Sequence, residues 1–490
     1  MGIGSWRSRR MHVVIAALVL IAAAGLVVTL LLQRAPDPYG VDLTYTPDYD
    51  VLVPVGELTQ KLVDRNPDGT RFGIAPGVHR LLDRIRPRAG QQFLGQPGAV
   101  ISGAKVLDGF DRDGSWWVIG GQTQRFDEHG ECEQDAPLCG RAENVFVDDI
   151  PLEQVASVDD LGSTSFFFDY DADRIFLAFD PENRVVETTV GEVAFYGEHD
   201  ERGLSEDVVV RNLVIEKFGT QAQDGAVDSR DAAGWVVQDN TIRLNHGAGV
   251  YTADGSQVRG NKIVSNGQLG IAGRGADVIV EDNEIAFNNW AGFSHGWEAG
   301  GSKWVKSDGL VVRRNWSHHN RGPGLWTDEG NIRTTYEANL VEDNYSAGIF
   351  HEISYDAVIR DNTVRRNGAG HAEWGYGAGI QISASSDVTV TGNTVEDNAR
   401  GITLIMQERG TGPHGPREIA NVTVSGNTVG PGNGPTGLFS DVGDPSYFAD
   451  MGNRFVDNTY RGDVTFEWLD GAVTPEQWRG YGNDTDGDFG

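Results

Sequence analysis

Two carboxylates set one repeat apart are the residues of this sequence best placed to do chemistry. Asp328 lies in Gly324-Leu-Trp-Thr-Asp-Glu-Gly330 and Glu352 in Gly348-Ile-Phe-His-Glu-Ile-Ser-Tyr355, each four residues after the glycine that opens its copy. If each copy is one coil of a β-solenoid, equal positions in neighbouring coils stack one strand spacing apart, about 4.8 Å. Hydrolysis of a glycosidic bond with retention needs two carboxyl groups about 5 to 5.5 Å apart. The pair therefore suits that chemistry, which makes Asp328 and Glu352 the candidate catalytic residues. The alternatives are a Ca²⁺ or ligand-binding pair, or two solvated acids in a very acidic chain.

Side chains suited to sugars surround the pair. With the units aligned on their glycines, Ile271, Phe293, Leu325, Ile349, Ile380 and Ile402 should point inward. One outward row then reads Tyr251, Ala272, Ser294, Trp326, Phe350, Gln381 and Thr403, and the next reads Ala253, Arg274, Gly296, Asp328, Glu352, Ser383 and Ile405. Aromatic faces stack on sugar C–H faces while carboxylates and cations bind hydroxyls. Trp326, Phe350, Tyr251, Arg274, His295 and His351 are accordingly the candidate substrate-binding residues. Trp297-Glu298 and His371-Ala-Glu-Trp374 fall in longer units and are expected in loops that wall the cleft. His351-Glu352-Ile-Ser-Tyr355 lacks the second His of a zinc-protease motif, and Asp484-Thr-Asp-Gly-Asp488 lacks the final Glu of a Ca²⁺ loop. No metal cofactor is expected for the hydrolase reading.

The elements that must position these residues are legible from an asparagine ruler. Asn212, Asn240, Asn261, Asn283, Asn315, Asn339, Asn362, Asn393, Asn427 and Asn458 recur at intervals of 21 to 34 residues. In seven units a second Asn follows five residues later (245, 266, 288, 320, 344, 367 and 398), and an apolar strand opening on Gly then begins in most. Fixed-period self-similarity without a Leu-x-x-Leu-x-Leu frame or a 3.6 period means stacked β coils. Asn tolerates left-handed turns, and its amide can bond the same amide one coil on. The fold class expected is all-β: a right-handed parallel β-helix.

Composition agrees with an extracytoplasmic β-rich chain: 65 of 490 residues are Gly, about twice the usual share. With 71 acids, 40 bases and a formal charge of −31, the composition argues against a nucleic-acid or polyphosphate partner, since phosphate binding needs clustered cations. Val13 to Leu32 carry no charge and follow Arg7, Arg9 and Arg10. That length fits a membrane span, and the arginines favour a cytoplasmic N-terminus. The domains expected are a cytoplasmic end (1–12), a transmembrane signal anchor (13–32), a linker (33–70), first coils (71–121), an inserted β-subdomain (122–200), the main β-helix (201–470) and a C-terminal tail (471–490). The anchor implies a single-pass protein of the cell membrane with its β-helix outside. There, the close pair Cys132 and Cys139 is expected to form a local disulfide.

The Val-x-x-Asn-x-Val/Ile texture resembles the pectin-lyase-like β-helix superfamily over residues 71 to about 465. Within it, Trp326-Thr-Asp328, Asn339, Asn344 and Gly348-Ile-Phe-His-Glu352 resemble the segment of glycoside hydrolase family 120 β-xylosidases in which a Trp-x-Asp coil precedes a coil bearing Glu. That resemblance implies Asp328 as nucleophile and Glu352 as acid/base, and it extends to the inserted β-subdomain. The function expected is a retaining glycoside hydrolase with a poly- or oligosaccharide partner. Two rivals are a Ca²⁺-dependent polysaccharide lyase or uronate epimerase, with Arg274, Lys303 and Lys306 as available cations, and a non-catalytic glycan binder.

Overall fold

The computed structural model describes residues 42–200, 203–469 and 471–490. The expected membrane span at 13–32 lies outside the described residues, among which no helix is long and apolar enough to cross a membrane. The chain winds as a solenoid in which each coil lays one strand in each of three sheets of 13, 12 and 12 strands. One coil runs through Thr334–Glu337, Leu340–Glu342 and Ile349–Glu352, and each strand pairs in parallel with its equivalent one coil on. Alternate residues point inward. Stacks such as Val312, Tyr336, Ile359 and Val390, or Leu325, Ile349, Ile380 and Ile402, are fully buried in one continuous core.

The asparagines hold the corners. From Asn240 to Asn458 each Nδ2 donates to Oδ1 of the next at 2.9 to 3.1 Å. A second ladder runs from Asn245 to Asn433 at the next corner over the same distances. Asn is expected to take the left-handed turn itself, and Asn212 does, at φ 57°, but from Asn240 onward the structure gives that conformation to the residue before it, as at Arg314, Ala338 and Asp361 with φ of 54°, 53° and 57°. The Asn amide is thereby turned inward, where it closes backbone groups that the corner takes out of the sheets. Asn339 donates to Asn362 Oδ1 and Val312 O, and accepts from Asn315 N and Nδ2. Leaving such buried groups unpaired costs roughly 1–3 kcal/mol each. Asn339→Ala is therefore expected to cost about 3 kcal/mol and to lower the calorimetric unfolding midpoint; an unchanged midpoint would mean the ladder is dispensable.

A solenoid has two open apolar ends that need covers, and both lie in segments expected to be irregular. Val51–Val53 already pairs with Arg71–Ile74, and the helix Gln60–Arg65 seats Val63 on the core, so the expected linker is a cap from residue 51 onward. At the other end the helix Pro475–Gly480 opens on a capping box at Thr474 and buries Trp478 against Phe455, Phe466 and Trp468. Asp484 takes the next place on the asparagine ladder, accepting from Asn458 Nδ2 at 2.9 Å, Tyr460 Oη at 2.7 Å and Trp478 Nε1 at 3.0 Å. The expected tail is thus the second cap.

The insertion begins at Ala104–Val106, earlier than the expected 122, and ends at Val186–Thr189, the strand that pairs with it. Asp111–Asp113 and Trp116–Ile119 belong to its antiparallel sheet, which has its own core around Phe166, Phe168 and Ile175. Lys217, 2% exposed, ties the insertion to the solenoid through Glu187 and Asp149. The Cys132–Cys139 disulfide forms as expected. Its loop is bonded to the coil below by Glu133 N to Gly292 O and Ser294 N to Glu131 O.

Candidate active site

The third sheet carries the site. Lys303, Trp326, Phe350 and Gln381 are neighbours in register and face outward, while Trp304, Thr327, His351 and Ile382 alternate with them and are buried inside. Asp328 and Glu352 take the next outward position in adjacent coils. One neighbour differs from expectation. Ser294 does not enter the row, because the unit of Asn283 has a loop before its strand Gly300–Asp308. The equivalent glycine is Gly301, not Gly292: a Cβ there would lie 2.2 Å from Gly324 O, as one at Gly348 would lie 2.6 Å from Gly379 O. Phe293 therefore packs outside the main core, with Cys139, Ala222 and Ala299, and Lys303 stands where Ser294 was expected.

The two acids are treated oppositely. Lys303 Nζ lies 2.8 Å from Asp328 Oδ2 and 3.3 Å from Glu298 Oε1, donates to Trp297 O at 2.8 Å and sits 3.9 Å over the Trp326 ring. Asp328 Oδ1 is buried without a hydrogen-bond partner among the described residues, an arrangement that calls for a functional explanation. Glu352 is 7% exposed. Burial, then the Asp328 charge, push its pKa above the ordinary glutamate value, while Arg409, whose Nη1 is 2.8 Å from Oε1, and Lys303 oppose them. Glu298 is also raised, chiefly by burial.

Around the acids the groove is aromatic and walled. Trp326 and Phe350 stack with ring centres 5.4 Å apart and planes 10° from parallel. Tyr376 packs beside them and donates to Gln407 Oε1 at 2.5 Å. One wall is built by the loops bearing His295 and His371, whose rings meet at 4.7 Å; His295 is fixed by Glu133 on the disulfide loop at 2.6 Å. The other side is closed by the loop after Met406, which supplies Arg409 and is anchored by Tyr355 Oη donating to Gly415 O at 2.8 Å. On the Asp328 side a cavity of about 360 Å³ is lined by Tyr251, Arg230, Asp224, Glu298, Lys303 and His129. Arg230 pairs with Asp224 and Asp228 and lies 4.6 Å from the Tyr251 ring centre.

Asp328, Glu352, Trp326, Phe350 and Tyr251 thus face the groove, His295 stands in its wall, and Arg274 is exposed beside the cavity. His351 does not line it. It points into the solenoid, fully buried, because it alternates with Phe350 and Glu352 along the strand. Its Nδ1 is hydrogen-bonded to Thr327 Oγ1 at 2.7 Å, and Thr327 Oγ1 accepts from Tyr336 Oη. Burial holds its pKa down to about 3, so it is a neutral core residue. Tyr376 and Arg409 are site residues that the repeat pattern does not reveal, whereas Glu298 lines the cavity from a loop expected to wall the cleft. Among the described residues no group of three or more His, Cys, Asp or Glu could hold a metal ion.

The family described as "Right handed beta helix region" matches residues 225–378. No curated protein matches the sequence. Among solved structures, the complex of XylC with xylose is similar at 13% identity, covering 85% of each chain with a TM-score of 0.64. The A-module of the Azotobacter vinelandii mannuronan C-5 epimerase AlgE4 is similar at 12% identity, covering 85% of this chain and 94% of that one with a TM-score of 0.51. The chain folds as a right-handed parallel β-helix, the architecture that the family matching residues 225–378 also describes.

Proposed function

We propose that this protein is a retaining glycoside hydrolase acting on neutral oligo- or polysaccharide, held at the outer face of the cell membrane by residues 13–32. The observation that carries the reading is the unequal pair of acids on adjacent coils: Asp328 ion-paired with Lys303, and Glu352 buried with a raised pKa. A buried acid of raised pKa beside a second carboxylate held by a cation is the division of labour that double displacement needs. Asp328 attacks the anomeric carbon as Glu352 passes its proton to the leaving oxygen, so one C–O bond forms and one breaks. Glu352, now a carboxylate, takes a proton from water, whose oxygen displaces Asp328 and restores both groups.

The family 120 resemblance of the segment from Trp326 to Glu352 favours this reading over an epimerase or lyase, while the similar solved structures include both a protein bound to xylose and an epimerase. Charge favours it too. A uronate needs a cation of its own, and three of the four cations at the site are paired with acids, Lys303 with Asp328 and Glu298, Arg230 with Asp224 and Asp228, and Arg409 with Glu352, while Arg274 stands exposed beside the cavity. Lys303 and Arg409 each set a positive charge against one of the two acids, which weakens their attraction for Ca²⁺. The test is a panel of neutral aryl glycosides given to the soluble fragment, with the product anomer followed by NMR, beside mannuronan and polygalacturonate with and without Ca²⁺. Hydrolysis with retained configuration supports the reading; an unsaturated or epimerised uronate overturns it.

A further inference from the structure

The groove continues past Glu352 into residues that the two carboxylates do not need. The loop 368–377 carries Trp374, 39% exposed and held at φ 48°, a left-handed conformation unfavourable to a bulky residue that persists only where the surroundings impose it and is concentrated at ligand sites. The surroundings here do impose it. Arg400 donates to Tyr376 O at 3.2 Å and Ala372 O at 3.3 Å, and Tyr376 N donates to Glu373 O at 2.8 Å. Gly375 lies so close to Phe439 and Ile405 that a Cβ would be 3.0 Å from each.

The result is an aromatic cluster in which Trp374 is the exposed ring, Tyr376 is half-buried and Phe439, 5% exposed, backs them. The Trp374 ring lies 6.3 Å from Tyr376, which packs on the Trp326–Phe350 platform, and 6.1 Å from Phe439. Beside it, Gln407 Nε2 donates to Asp441 Oδ2 at 3.2 Å, a pair of polar groups of the kind that orients hydroxyls. Direction follows from chemistry: the oxygen that Glu352 protonates belongs to the leaving group, so the leaving group occupies the groove on Glu352's side, away from the cavity at Tyr251 and Lys303. We infer that Trp374, with Tyr376 and Phe439, forms a leaving-group subsite that stacks a neutral pyranose ring, so that the substrate is an oligo- or polysaccharide rather than a simple glycoside. This rests on the hydrolase reading above.

The test separates the two. Trp374→Ala is expected to raise KM for an oligosaccharide of the preferred sugar about tenfold, the loss of one stacked ring, with kcat/KM for its glycosyl fluoride, whose leaving group is too small to reach the subsite, unchanged within about twofold; Trp374→Phe restores most of the loss. In the Asp328→Asn background, calorimetric binding of the same oligosaccharide, or of xylotriose and cellotriose where no glycoside is cleaved, should weaken by the same factor on adding Trp374→Ala. Equal losses on both substrates, or none, overturn the subsite and leave the hydrolase. Trp374-dependent binding without hydrolysis of any glycoside keeps the subsite and overturns the hydrolase, and absence of both binding and hydrolysis overturns both.

Discussion

Asp328→Asn is expected to lower kcat by roughly 10⁴ or more, the scale seen when a nucleophile acting in concert with its partners is removed. The amide cannot form the glycosyl ester, and no other carboxylate replaces it: Glu298 is held by Lys303, and Glu352 by Arg409. The choice of Asn over Ala matters because Lys303 is 5% exposed and depends on Asp328 Oδ2. Leaving a buried cation short of its partner costs about 3–5 kcal/mol when no other remains. Here Glu298 and Trp297 O remain, and an Asn oxygen still accepts from the ammonium, so the unfolding midpoint should fall only slightly. A 2-fluoro glycoside, which slows the second step more than the first, should label the peptide containing Asp328 by the mass of one sugar. Full activity in Asp328→Asn, or label on another residue, would end the assignment.

The same residues show what a sequence can and cannot convey here. The asparagine ladders are readable because a repeated amide at each corner is a local requirement, met in every coil from Asn240 to Asn458 although the coils run from 21 to 34 residues. Asp328, Glu352, Trp326 and Phe350 were readable because two consecutive units have short, matching corners, so glycine alignment preserves register. That alignment failed one unit earlier, where the loop before Gly301 carries its own glycine at 292 and displaces Lys303 from view. His351 was misjudged for a different reason. Its type suggested a ligand, but strand alternation assigns it to the inside, and a neutral imidazole bonded to Thr327 is an acceptable core group. The caps at both ends hid because their apolar residues, Val63 and Trp478, serve one end each and so have no period. Arg409 reaches Glu352 from 57 residues away, on a loop outside the repeat, and contacts of that kind leave no mark in spacing.

Glu352→Ala carries the other large effect, and its size should depend on the substrate. For glycosides with poor leaving groups, whose departure needs a proton, kcat/KM is expected to fall roughly 10²- to 10⁴-fold. Dinitrophenyl glycosides leave without that proton, so their first step should continue near the parent rate. Their second step still needs Glu352 as base, so glycosyl-enzyme should accumulate and azide should speed turnover, giving a glycosyl azide. The pH profile supplies an independent sign. Glu352 must be protonated to act, and its raised pKa keeps it so to higher pH than a free glutamate. Activity is therefore present below that pKa and lost as pH rises through it. Because Arg409 is one of the groups that lower this pKa, Arg409→Gln should move the alkaline limb of kcat/KM to higher pH. Removing a charge that stabilises the carboxylate can have no other sign if Glu352 owns that limb. A limb that stays in place or moves down in Arg409→Gln, or an equal loss on both leaving groups in Glu352→Ala, would remove Glu352 from the role of acid and return the site to a binding function.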